Sequence, residues 1–234
     1  MEIDYTHVKV IGFDADDTLW VNETYFREAE LEIQKLLSAY ETPNKIDQEL
    51  YRIEIENLPI YGYGIKAFTL SMVEVALELS NYRLPNKTIE AILNIGKSML
   101  EKPVELLDGV EDVLKELSGK YRLILATKGD LLDQERKLEK SGLTDYFHHI
   151  EVLSDKKEAN YSKLLNHLDI KPSEFLMVGN SLKSDILPLV NLKSHAIHVP
   201  FHTTWAHEQV TEQETNGKTY KTVNSLREVL GLLN

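Results

Sequence analysis

Val8-Lys9-Val10-Ile11-Gly12-Phe13-Asp14-Ala15-Asp16-Asp17-Thr18-Leu19-Trp20 runs from an apolar stretch straight into a knot of acids. Val8 to Asp14 is short and rich in β-branched and aromatic side chains, so it reads as a strand. Three carboxylates, Asp14, Asp16 and Asp17, then crowd its carboxyl end. Such massing is electrostatically unfavourable unless a cation or protons compensate it, which makes a hard, oxygen-ligated ion such as Mg²⁺ the natural resident. The plainer alternative is a solvated acidic turn, because aspartate is common in turns. Its position directly after an apolar strand weighs against that.

Outward from this strand, short apolar runs alternate with helix-length amphipathic stretches, the pattern of a parallel sheet covered by helices. Tyr121 to Thr127, His149 to Ser154, Phe175 to Gly179 and His195 to Val199 read as further strands. The expected fold is a doubly wound α/β sheet, which collects ligands at the carboxyl ends of its strands. Asp14, Thr127 and Asn180 fall there. Between the first and second strands lies a long region with helical patterns near Tyr25 to Tyr40, Ile46 to Asn57, Ile65 to Tyr82 and Lys87 to Leu100. Leu31, Leu36, Leu37 and Tyr40 recur at helical spacing. Pro43, Pro59 with Gly62 and Gly64, and Pro85 mark breaks between helices, and Pro103 the return to the sheet. The chain is therefore expected to divide into a core of residues 1–20 and 104–234 and an all-helical insert of residues 21–103. Thr211 to Thr222 reads as a surface loop before a last helix near Leu226 to Leu233.

Composition limits the partners. The 234 residues are 42% hydrophobic and 27% charged, enough to bury a core. A formal net charge of −12 argues against a general nucleic-acid binder, whose affinity rests on Lys and Arg neutralising phosphates. The absence of cysteine excludes disulfides, thiolate nucleophiles and cysteine-ligated metals. No signal-peptide pattern and no run of about 20 apolar residues is present, so no membrane partner is expected and the expected location is the cytoplasm.

The acidic knot then becomes specific. Asp14-Ala15-Asp16-Asp17-Thr18 resembles the Asp-x-Asp-x-Thr signature of phosphatases of the haloacid dehalogenase (HAD) superfamily, and three further motifs follow in the family's order. The resemblance implies an inserted helical cap on a Rossmann-like core, Asp14 as the nucleophile that becomes a phosphoaspartate, and Asp16 as an acid and later a base. It also implies that the Asp16 carbonyl ligates Mg²⁺ and that Thr18 braces the loop. Such roles are physically coherent, because a carboxylate nucleophile divides phosphoryl transfer into two easier steps and a second carboxyl can move the protons.

In the second motif, Leu123-Ile124-Leu125-Ala126-Thr127-Lys128-Gly129, the Thr127 hydroxyl with nearby N–H groups is placed to hold phosphate, joined by Lys128. Read alone, a Thr here is a helix cap or turn residue. In Ser154-Asp155-Lys156-Lys157-Glu158 the resemblance implies a lysine that neutralises nucleophile and phosphoryl group. Lys156 is the closer match, with Lys157 as the alternate, and a solvated lysine pair is the plain reading. Val178-Gly179-Asn180-Ser181-Leu182-Lys183-Ser184-Asp185 resembles the family's Gly-Asp-Ser-x-x-x-Asp metal loop, with Asn180 where an aspartate is usual. An amide oxygen can ligate Mg²⁺ but brings no charge, so the ion should lean on Asp14, Asp185 and water. Metal ligands expected from the resemblance are thus Asp14, Asp16, Asn180 and Asp185.

Within the insert, Leu58-Pro59-Ile60-Tyr61-Gly62-Tyr63-Gly64-Ile65-Lys66 combines glycines with aromatic and cationic groups, as a lid loop would. Tyr61, Tyr63 or Lys66 is a candidate substrate contact, against the alternative that the tyrosines pack and Lys66 is solvated. His195, His198, His202 and His207 do not space as a metal site, and Trp205 is expected to pack near the core edge. The reading that results is a Mg²⁺-dependent phosphatase acting on a small phosphorylated metabolite. A receiver-like domain carries its phosphorylated Asp on a later strand. A dehalogenase has no need of Asp16, since halide leaves without a proton, and a non-catalytic phosphate binder is suggested only by Asn180.

Overall fold

The structure, a computed structural model, describes residues 3–233. The apolar runs form strands β1 (Val10–Phe13), β2 (Arg122–Lys128), β3 (His149–Leu153), β4 (Phe175–Gly179), β5 (His195–His198) and β6 (Lys221–Thr222). They lie in the order β3-β2-β1-β4-β5-β6, and every pairing is parallel. A parallel sheet is apolar on both faces. Accordingly Ile11, Phe13, Leu123, Leu125, Leu176 and Val178 pack on one side with α5 (Val110–Ser118) and α10 (Glu228–Leu233), while Val10, Ile124, Ala126 and Met177 pack on the other with α7 (Glu158–His167) and α8 (Leu187–Asn191). Strand order reverses direction around β1, which lies between β2 and β4, so the crevice at its carboxyl end is the expected ligand position.

The sixth strand corrects the expectation of a loop over Thr211 to Thr222. That stretch holds the short helix α9 (Glu212–Thr215) and ends in a two-residue edge strand whose Ile197↔Lys221 and His198↔Thr222 pairs extend the sheet. Both strand residues are exposed, so no apolar alternation marks them.

The described chain separates into two compact units. One comprises the residues up to Glu23, Val104–Lys128 and those from Gln134 onward; the other comprises Thr24–Pro103 and Gly129–Asp133. The second contains α1 (Glu23–Leu37) beyond its first residue, α2 (Pro43–Tyr61), α3 (Ile65–Leu79) and α4 (Asn86–Glu101) around its own core of Ile33, Leu37, Ile46, Leu50, Ile53, Phe68, Met72, Val75 and Ile92. Segment Gly129–Asp133, read from sequence as core, groups with the helices, where the Lys66 ammonium meets Asp130 Oδ1 at 2.8 Å. Where the chain leaves the core and where it returns, the two passages pair: Leu107 N–H donates to Leu19 O and Val21 N–H to Glu105 O, each at 2.9 Å.

Two expectations for the helices are corrected. Pro59 does not break α2 but sits inside its last turn, where a missing N–H and the ring clash disturb only the carbonyl one turn back. The helix stops at Gly62, whose N–H caps Leu58 O at 3.0 Å with φ 73°. The inward stripe of α1 is Ala29, Ile33 and Leu37; Leu31 is 54% exposed. Among the described residues no helix is long and apolar enough to cross a membrane.

Candidate active site

Asp14 follows β1 directly, and its N–H donates to Val178 O at 2.9 Å, which holds it level with the end of β4. Its carboxylate is buried and accepts from the Lys156 ammonium, which also donates to Asp185 Oδ1 at 2.6 Å. Lys156 is 3% exposed. Lys157 turns outward, 74% exposed at its side chain, and pairs with Asp155 at 2.7 Å. Burial opposes the charge on Lys156, but Asp14, Asp185 and Tyr161 outweigh it and hold the ammonium protonated well above the ordinary lysine range. Burial and then Asp185 push the Asp14 carboxyl up, with Lys156 pulling it back. Two buried carboxylates thus share one ammonium and leave net negative charge in the crevice.

Asp185 is 1% exposed and sits in a π-helical turn, Leu182–Ile186, that begins at Ser181. Its Oδ2 accepts Ser181 N–H at 3.0 Å. Gly179 is required here, because a Cβ at that position would overlap the Asp185 carboxylate. Asn180 N–H donates to Thr18 Oγ1 at 3.0 Å; that hydroxyl in turn lies 3.2 Å from both Asp14 Oδ2 and Asn180 Oδ1, so Thr18 ties the first motif to the fourth. His198 Nε2 lies 3.0 Å from the Asn180 carbonyl, which can only accept, so this ring nitrogen carries a proton.

Asp16 and Asp17 part company from Asp14. Asp16 Oδ1 accepts from Lys137 Nζ at 2.5 Å and from the Trp20 indole at 2.7 Å, and Oδ2 accepts from the Gln134 amide at 2.8 Å. Asp17 adopts φ 63°, a left-handed conformation that aspartate tolerates, and its carboxylate accepts the N–H groups of Asn22 and Glu23 where α1 begins. The crowding of three acids is therefore relieved by structure at Asp17 and by an ammonium at Asp16, and the uncompensated charge belongs to Asp14 with Asp185.

Thr127 is 1% exposed near the end of β2. Since Phe13 pairs with Leu125, it stands just past the last paired residue of β1, before Gly129 at φ 133°. Lys128 Nζ donates to Ser184 Oγ at 2.8 Å and Glu208 Oε1 at 2.7 Å. Tyr61, Tyr63 and Lys66 all belong to the helical unit. Tyr61 ends α2 and is exposed, Tyr63 lies between two glycines, and Lys66 is in the first turn of α3. The expected long lid loop reduces to Gly62, Tyr63 and Gly64.

Among the described residues no three or more His, Cys, Asp or Glu side chains are arranged to hold a metal ion. The histidines of β5 and beyond go elsewhere: the ring of His195 lies 5.5 Å from Tyr5 and that of His207 4.9 Å from Trp205. The donors around Asp14 are two carboxylates and the Asn180 amide, all oxygen, with surplus negative charge. That set fits a hard divalent cation such as Mg²⁺. Gln134 and Lys137 lie three residues apart on one face of α6 (Leu131–Ser141), a spacing that gives no functional signal by itself. Ser181, Ser184 and Glu208 were likewise not singled out by the sequence reading.

The haloacid dehalogenase-like hydrolase family matches residues 8–192, which includes all four of these loops. This chain belongs to that family. As a haloacid dehalogenase-like hydrolase it is 36% identical to a family hydrolase of known structure from Xanthomonas campestris, with TM-score 0.86 over 99% of this chain and 94% of the other. It is 27% identical to human N-acylneuraminate-9-phosphatase over 77% of each chain. With the pyrimidine 5'-nucleotidase YjjG of Escherichia coli K12 it shares 26% identity over 95% of this chain and 96% of that one.

Proposed function

We propose that this hydrolase is a Mg²⁺-dependent phosphatase that hydrolyses a small phosphomonoester through a phosphoaspartate at Asp14. The observation that carries the reading is the buried Lys156 ammonium shared by Asp14 and Asp185 at the carboxyl ends of adjacent strands. Two relatives whose names denote phosphatase and nucleotidase activities support it. The inserted helical segment, expected from sequence over 21–103, is the cap, and the substrate is a small phosphorylated metabolite of the sugar-phosphate or nucleotide class.

One Asp14 oxygen attacks phosphorus as the bond to the leaving oxygen breaks, and Asp16, which enters the step protonated, gives that oxygen its proton. Asp16, now a carboxylate, takes a proton from water, the hydroxide oxygen bonds to phosphorus, and the bond to Asp14 breaks, restoring the carboxylate and releasing inorganic phosphate. Lys156 opposes the pull of burial toward a neutral Asp14 and keeps it in line, and Thr127 with neighbouring N–H groups binds equatorial phosphoryl oxygens. Asp14, Asp185, Asn180 and the Asp16 carbonyl would hold Mg²⁺, which supplies positive charge against the phosphoryl oxygens. Tyr61, Tyr63 and Lys66 remain candidates for recognising the leaving group.

The test is phosphate release from a panel of phosphomonoesters, led by nucleoside monophosphates and N-acylneuraminate 9-phosphate, with and without Mg²⁺, for the native chain and Asp14→Asn. Metal-dependent release abolished in the variant is expected. A folded native chain inactive across the panel would turn the reading toward phosphate binding without turnover.

A further inference from the structure

Glu208 ends a short turn, Ala206–Glu208, beyond β5 and outside the four motif loops. Its side chain is only 13% exposed. Oε1 accepts from Lys128 Nζ at 2.7 Å, and Oε2 accepts from the hydroxyls of Ser181 and Ser184, each at 2.5 Å. The two serines are themselves linked: Ser184 N–H donates to Ser181 Oγ at 3.0 Å, and Ser184 Oγ accepts from Lys128 at 2.8 Å. Lys183 Nζ donates to His207 O at 2.5 Å and pins the same turn to the loop.

A desolvated carboxylate is costly unless its donors are complete. Here they are, and they come from the end of β2 and from the π-helical turn. Ser181 adjoins Asn180 and Ser184 adjoins Asp185, so the network grips the metal loop at both of its ligand positions. It also gives the Lys128 ammonium a counter-charge. Losing it would leave more positive charge beside a loop whose asparagine brings no charge to hold Mg²⁺.

We propose that Glu208 is a positioning residue of the metal loop: its carboxylate neutralises Lys128 and fixes Ser181 and Ser184, presenting Asn180 and Asp185 to a divalent cation although position 180 lacks a carboxylate. The proposal rests on the phosphatase reading for the identity of that loop. It reassigns Lys128 from a free phosphate contact to one half of a buried pair.

Mn²⁺, whose free form is counted by its paramagnetic resonance signal, replaces Mg²⁺ in the test. Native chain, Glu208→Gln, Lys128→Met, the double variant and Ser184→Ala are titrated, with Tm measured alongside. Glu208→Gln is expected to weaken Mn²⁺ binding about 10–100-fold, the range for outer partners of metal ligands. The double variant should recover most of that loss, because removing both charges restores the charge balance beside the loop; a merely structural role would lower Tm without this charge-specific rescue. Native affinity in Glu208→Gln overturns the proposal, and so does a double variant as weak as the single one. Should Glu208→Gln fail to fold, Ser184→Ala decides, with weakened binding expected and unchanged binding overturning. A native chain that binds no Mn²⁺ fails the phosphatase reading itself, and this proposal with it.

Discussion

Gly179 is a position where one added methyl strikes the site itself. Its Cβ would have to occupy the space of the Asp185 carboxylate, so Gly179→Ala must displace either β4 or the acid. Overpacking of this kind costs about 1–3 kcal/mol. Urea melts should show that loss together with reduced Mg²⁺-dependent turnover, and a variant with native stability and rate would refute the geometry. Asp16 makes a different prediction. In its proposed role as proton donor to the leaving oxygen it would be worth about 10²–10⁴-fold, so Asp16→Asn should lose that much on alkyl phosphates and much less on p-nitrophenyl phosphate, whose phenolate leaves unprotonated. Equal losses on both substrates would leave Asp16 without its acid role. The motif spacing placed Asp16 near the chemistry, but not Lys137 and Gln134, which reach it from more than one hundred residues along the chain.

At the scale of elements, the turn that carries Glu208 is held by charge, and charge responds to pH. Burial would raise its carboxyl, yet Lys128 and the hydroxyls of Ser181 and Ser184 outweigh burial and lower it from 4.5 to about 2. A depressed folded-state pKa stabilises above the unfolded value and loses that stability as pH falls through the folded one. The drop corresponds to about 3 kcal/mol, full above pH 4.5 and fading toward pH 2. The stability advantage of the native chain over Glu208→Gln should therefore shrink in denaturant melts run from neutral pH toward about 3; a constant difference would contradict the buried pair. The elements themselves differ in legibility. Phe175–Gly179 is a continuous apolar run between polar flanks and was readable to the residue. Lys221–Thr222 was not, since a two-residue exposed edge strand owes its existence to β5 rather than to its own side chains. Pro59 misled because proline reads as a stop, whereas in a last turn it forfeits little.

Across the whole molecule, two compact units imply two melting units. Two hydrophobic clusters line the faces of the sheet and a third fills the helical unit. A ligand that binds the folded site at 100 times its Kd stabilises by about 2.7 kcal/mol, which for a chain of this size is a Tm rise of about 5–10 °C. Calorimetry with and without Mg²⁺ should place that rise in the sheet's transition and leave the helices' transition where it was; a shift in neither would count against a metal site among these acids. Fold class and the order of the motif loops were legible because period and sequence order are local properties. The network of Glu208, Ser181, Ser184 and Lys128 was not, because only the closed sheet brings those distant positions together. The paired passages Leu19 to Val21 and Glu105 to Leu107 carry a last consequence. They form a closed neck, and the entropy of closing a loop at such a neck grows only with the logarithm of its length, about 0.6 kcal/mol for each doubling. To the sheet, then, the excursion from Thr24 to Pro103 is nearly weightless: it can be lengthened, shortened or exchanged as a cassette while the strands stay still.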